Sequence, residues 1–146
     1  MVGCPELPTD LVEIIMINTS ILLIEDDLDD QAFFIEALEG VENTTLFGLA
    51  NNGKEGLEWL SNGRGLPDMI FMDINMPLMN GIDCLTMILE NPLTNKIPVI
   101  MLSTHDGQQE LVKKIGARCF FTKPVNPDIL RMQIQQAISL DTVYCS

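Results

Sequence analysis

A chain of 146 residues with 47% hydrophobic side chains has room for one domain and enough apolar material for a full core, which excludes a disordered or fibrous protein. Acidic residues outnumber basic ones 21 to 8, a formal net charge of −13. Eight scattered cations make a poor phosphate-neutralising surface, so the chain is expected to bind neither DNA nor an anionic membrane, and a divalent cation or a basic partner suits it better.

Residues 1–17 have no Lys or Arg ahead of their apolar stretch, so they read as an N-terminal extension and not as a signal peptide. The longest apolar runs, Ile14 to Ile17 and Ile21 to Ile24, are far too short to span a membrane. Cys4, Cys84, Cys119 and Cys145 form no C-x-x-C pair and read as free thiols in a reducing compartment. The expected location is therefore the cytoplasm.

From Ser20 onward, short apolar runs alternate with amphipathic stretches. Ile21 to Ile24 predicts a buried strand, ended by Glu25-Asp26-Asp27. Asp29 to Leu38 predicts a helix through Phe34, Ala37 and Leu38, with Gly40 as its stop. A strand over Leu46 to Ala50 and a short helix carrying Leu57 and Leu60 follow. Met69 to Met72 is a third strand that runs into Asp73, and Ile82, Leu85 and Leu89 mark the next helix. Val99 to Leu102 is the fourth strand. The helix over Gln108 to Ile115 has a thin apolar face of Leu111, Val112 and Ile115, and is expected to be the least firmly packed. Cys119 to Thr122 is the fifth strand. Asn126-Pro127-Asp128 then opens the last helix with an Asn cap, a proline in the first turn and an acid beside it. One domain over 18–140 results, with a short tail at 141–146.

Such alternation, with nearly continuous apolar strands, implies an α/β protein with a doubly wound parallel sheet covered on both faces. Ligands of these sheets bind beyond the carboxyl ends of the strands. The residues found there are Glu25 and Asp26 after the first strand, Asp73 after the third, Ser103 after the fourth and Lys123 after the fifth. Singly, each reads as a cap, a turn or a surface charge. Together, three converging carboxylates repel unless a cation holds them, and oxygen ligands without His or Cys select Mg²⁺, Mn²⁺ or Ca²⁺. A metal beside a carboxylate, a lysine and a hydroxyl is the equipment of phosphoryl transfer onto that carboxylate.

These residues, with the run Met72-Asp73-Ile74-Asn75-Met76-Pro77-Leu78-Met79-Asn80-Gly81, Ser103-Thr104 and Lys123-Pro124, resemble the response-regulator receiver domain of two-component signalling. The resemblance implies a flavodoxin-like five-stranded sheet of order 2-1-3-4-5, and a stand-alone receiver. It implies Asp73 as phospho-acceptor and Mg²⁺ held by Asp26, Asp73 and the Asn75 backbone carbonyl, with Glu25 acting through a water. Lys123 and the Ser103 hydroxyl would bind the phosphoryl group, and the Lys123–Pro124 peptide would be cis. Phe120 stands at the aromatic switch position, where plain core packing is the competing reading. Asn75 and His105 flank the path of attacking water and would tune its rate, although His105 also reads as an ordinary loop residue. Thr104, β-branched where the family has small residues, narrows access to Asp73.

The function implied is a phosphorelay switch that takes its phosphoryl group from a histidine kinase or a histidine phosphotransfer protein. It would catalyse only its own phosphorylation and dephosphorylation, and signal to an unidentified target protein, with a homodimer left open. Two other functions compete. A haloacid-dehalogenase-like phosphohydrolase needs D-x-D, and Asn75 replaces the second Asp. A degenerate receiver would serve only as a docking module. A flavin site of the same topology lacks its phosphate loop after the first strand.

Overall fold

The structure, a computed structural model, describes residues 18–139, so the readings of 1–17 and of the tail at 141–146 lie outside the described residues. Strands β1 (Thr19–Ile24), β2 (Thr44–Ala50), β3 (Met69–Asp73), β4 (Val99–Ser103) and β5 (Cys119–Thr122) alternate with helices α1 (Leu28–Glu39), α2 (Gly53–Ser61), α3 (Gly81–Glu90), α4 (Gln109–Ile115) and α5 (Pro127–Ser139). The sheet has the order β2-β1-β3-β4-β5 with every pair parallel, the flavodoxin-like arrangement expected from the sequence. β1 and β2 each begin two residues earlier than the apolar runs suggest, at Thr19 and Thr44, because β-branched threonine suits a pleated strand end.

Strand side chains alternate between two cores. Ile21, Leu23, Phe71, Ile100, Leu102 and Phe121 pack with Phe34 of α1 and with Leu130 and Ile134 of α5. Leu22, Ile24, Ile70, Met72, Val99 and Met101 pack with Leu60 of α2, Cys84, Leu85 and Ile88 of α3, and Val112 of α4. All five residues of β3 and of β4 are buried, which explains why those stretches show no polar alternation.

Helix starts follow local chemistry. The side chains of Asp27, Asn52 and Asn80 accept hydrogen bonds from the N–H groups of Asp30, Glu55 and Asp83, and each helix has an acid in its first turn. Asn126 Oδ1 accepts from the Asp128 N–H at 2.7 Å, as its position before Pro127 suggests. α4 differs: Gln108 gives it no side-chain cap, and Val112 is its one buried residue. The thin face read from the sequence is thinner still, since Leu111 is 47% exposed.

Two expectations fail. The described residues contain no cis peptide bond, so Lys123–Pro124 is trans. Even before proline the trans form is favoured, by about 0.5–1 kcal/mol, and the Lys123 side chain reaches its partners from a trans backbone. The thiols are not all free, for Cys84 is free and buried but Cys119 is disulfide-bonded. Sequence spacing does not forbid this, because a disulfide needs only that the fold bring two cysteines together.

Candidate functional site

The parallel sheet delivers the ends of β1, β3, β4 and β5 to one edge. Asp73 is the last residue of β3, in register with Leu102, and Ser103 ends β4 in register with Thr122. Lys123 leaves β5 with its N–H donating to the Ser103 carbonyl at 2.7 Å, and the Glu25 N–H donates to the Ala50 carbonyl at 2.9 Å. These backbone bonds fix where each functional side chain departs.

Carboxylate oxygens of Glu25, Asp26 and Asp73 lie within 4.8 Å of one another. Glu25 and Asp73 are buried, and Asp26 is the more open of the three. The Lys123 ammonium stands 2.8 Å from Glu25 Oε1, 2.8 Å from Asp30 Oδ2 and 3.3 Å from Asp73 Oδ1. Burial pushes the Glu25 carboxyl up to about 7, against the opposing hydrogen bond from Lys123. Burial also raises Asp73, again opposed by Lys123. For Lys123 burial acts downward, but the carboxylates of Asp30, Glu25 and Asp73 outweigh it and hold the ammonium above its ordinary range.

One ammonium is thus set against four carboxylates, and the cluster contains only oxygen donors. That donor set fits a hard divalent cation of the Mg²⁺ or Mn²⁺ kind, and not zinc. A pocket of about 220 Å³ opens above it, lined by Glu25, Asp26, Asp27, Asp30 and Asp73 together with Asn75, Thr104 and Lys123. Asn75 stands in this pocket where a dehalogenase-like phosphohydrolase needs an acid, so that alternative is not favoured.

The remaining residues read from the sequence fall outside the pocket lining. Ser103 is 1% exposed, and its Oγ accepts the His105 N–H at 3.2 Å, which leaves the hydroxyl proton free to be donated. His105 is exposed. Phe120 is buried within the same core cluster as Val112 and Ala117.

The glycine closing the Asp73 run has a physical reason. Gly81 donates its N–H to the Ile74 carbonyl at 2.7 Å, and a Cβ there would collide with the Asp73 carbonyl oxygen. Within that run Leu78 adopts a left-handed φ of 67° inside a tight turn closed by the Met79 N–H on the Pro77 carbonyl.

Three residues escaped the sequence reading. Asp30, an acid in the first turn of α1, pairs with Lys123 across 93 residues of chain. Gln31 is buried, and its Nε2 donates to the Glu25 carbonyl at 2.6 Å and to Asn51 Oδ1 at 2.8 Å. Asn51 in turn donates to Glu55 Oε1 through its backbone and side-chain nitrogens. The end of β2, which offers no reactive group, therefore anchors the peptide that carries the acidic pair. A signal for Gln31 was present, since it lies three residues before Phe34 and seven before Leu38, a polar residue on the apolar stripe.

Comparison with known proteins agrees with this geometry. The response regulator receiver domain family matches residues 21–135. The nitrate/nitrite response regulator protein NarL of Escherichia coli is 31% identical over 124 residues, which cover 85% of this chain and 56% of NarL. This chain thus spans little more than half the length of that relative. Protein PilH of Pseudomonas aeruginosa is 31% identical over 120 residues, covering 81% of this chain and 97% of PilH. Among solved structures, a response regulator receiver domain from Rhodospirillum rubrum superposes with a TM-score of 0.70 at 31% identity, over 86% of this chain and 97% of that one. No helix among the described residues is long and apolar enough to cross a membrane.

Proposed function

This chain belongs to the response regulator receiver domain family, and on that premise we propose that it is a switch operated by phosphorylation of Asp73. The observation that carries this reading is Lys123, whose ammonium sits 3.3 Å from Asp73 Oδ1 and 2.8 Å from Glu25 Oε1 at the mouth of the acidic pocket. The donor is a phosphohistidine on a histidine kinase or phosphotransfer protein. An Asp73 carboxylate oxygen attacks phosphorus, the P–N bond breaks, and the imidazole keeps the electron pair and takes a proton from water.

Asp26, Asp73 and the Asn75 carbonyl, with Glu25 through a water, would hold Mg²⁺, which would neutralise charge on the transferring oxygens. Lys123 takes up one phosphoryl oxygen, and Ser103, whose hydroxyl proton is uncommitted, donates to another. That pull on Ser103 moves the loop toward α4, and Phe120 repacks with it. Asn75 and His105 set how quickly water reaches the acyl phosphate. The chain acts catalytically only on its own phosphoryl group, within a domain spanning 18–140, and signals by a changed protein-binding surface in the cytoplasm.

The test is incubation with Mg²⁺ and acetyl phosphate followed by intact mass and peptide mapping. One phosphoryl group on Asp73 is expected, with none in Asp73→Asn. Asp26→Asn should lower labelling at least tenfold while far-UV circular dichroism stays unchanged, because it removes a cation ligand and no core contact. Wild-type protein that accepts no phosphate, or accepts it elsewhere, overturns the reading.

A further inference from the structure

Lys123 carries three N–H donors, and three carboxylate oxygens already take them, those of Glu25, Asp30 and Asp73. On phosphorylation the charge of Asp73 passes to the phosphoryl group, and the ammonium can follow it only as far as Glu25 and Asp30 release it. The Glu25 side chain is 4% exposed, so releasing it would strand a charge away from water. Asp30 is 42% exposed and can be rehydrated at once. It is also held in place by its backbone: it sits in the first turn of α1, its N–H capped by Asp27 Oδ1 at 3.0 Å.

We propose that Asp30 is a positioning residue that competes with the phosphoryl group for Lys123, so that it slows the loading of Asp73 and hastens its emptying. The inference rests on the phospho-accepting reading of Asp73. While Asp30 holds the ammonium, one of its three bonds points away from the reacting oxygen. Each loading event must first break that bond, and each loaded state must keep it broken. The ion pair is half open to solvent, so its weight is that of a partly exposed pair, a few-fold in rate.

The experiment compares wild type, Asp30→Asn, Asp30→Glu and Asp29→Asn in the full chain. Asp29 lies on the same turn, makes no ion pair among the described residues, and loses the same unit of charge, so it controls for the general field of an acidic protein. The probe is acetyl phosphate: Asp73 attacks phosphorus, the P–O bond to acetate breaks, and acetate leaves with the electron pair. Asp30→Asn should load about two- to five-fold faster and hold its phosphoryl group longer by a similar factor. Asp30→Glu should return toward wild type, and Asp29→Asn should match wild type. In ion-free protein, the Lys123 Nζ resonance should shift in Asp30→Asn and stay in place in Asp29→Asn.

A wild type that loads while Asp30→Asn loads no faster than Asp29→Asn overturns the inference and leaves the phospho-accepting reading intact. Slower loading in Asp30→Asn also overturns it, since Asp30 would then be presenting Lys123 rather than withholding it. A wild type that does not load at all overturns both.

Discussion

On the Lys123 side of the pocket, one ammonium ties β1, α1 and β3 together through three carboxylates no more than 3.3 Å away. On the Ser103 side, the chain passes through exposed Thr104, His105 and Asp106 into α4, a seven-residue helix with no side-chain cap and one buried side chain. In the first region the Glu25 and Asp73 charges are buried and cannot separate from Lys123 cheaply, while the Asp30 tie is partly open to solvent. The second is held by one fully buried valine, Val112, and by Ile115, which is only partly buried. A phosphoryl charge placed on Asp73 would act on both at once, and the structural response is expected where the opposing free energy is smallest, in α4 and the loop that leads to it.

Anchor deletions test this contrast from its strongest end. Ile134 of α5 is 0% exposed in the core shared with Phe34, Phe71 and Leu130. Ile134→Ala should cost about 2–5 kcal/mol, seen as a cooperative loss of the whole fold in urea titration. Val112→Ala should cost about 2 kcal/mol, but locally. Amide exchange across Gln109–Ile115 should accelerate at least tenfold while α5 stays protected. Global unfolding in both variants would mean that α4 is as integral as α5, and the contrast would be gone.

Cys84 offers a finer reading of how far the loosening spreads. It lies on α3 in the same core cluster as Val112, is 0% exposed, and burial pushes its thiol up to about 12. An acid whose folded value is raised contributes stability that is fully present below its unfolded value and is lost as pH rises through the folded one. Near pH 8 the thiol is therefore protonated and shielded, and should resist iodoacetamide in wild type. It should resist equally in Val112→Ala if only α4 loosens. Alkylation of the Cys84 peptide in that variant would show that the whole face opens with α4.

The smallest expected effect concerns the pinned side. Mg²⁺ should raise the melting temperature of wild type, by more than it raises that of Asp26→Asn, because an ion bound only by the folded state stabilises it. Equal shifts in the two proteins would place the cation elsewhere.

Much of the pocket was legible because its key residues sit directly after apolar runs. Glu25, Asp26, Asp73, Ser103 and Lys123 each follow a strand signal, and a parallel sheet must bring such positions together. Asp30 and Gln31 lay beyond that logic. Their partners, Lys123 and the Glu25–Asn51 pair, are set by how α1 crosses the sheet.

The sequence by itself determined the five strands, the five helices, the cap at Asn126, and the chemistry available at the sheet edge. Those features depend on contacts within a few residues or on period-two and period-3.6 burial, and such signals are written locally. Only the tertiary structure decided that Lys123 is shared three ways, that Lys123–Pro124 is trans, that Cys119 is disulfide-bonded, and that Val112 is the one fully buried residue of α4. Each of these depends on the distance or packing between elements far apart in the chain, and residue type at one position carries no measure of it.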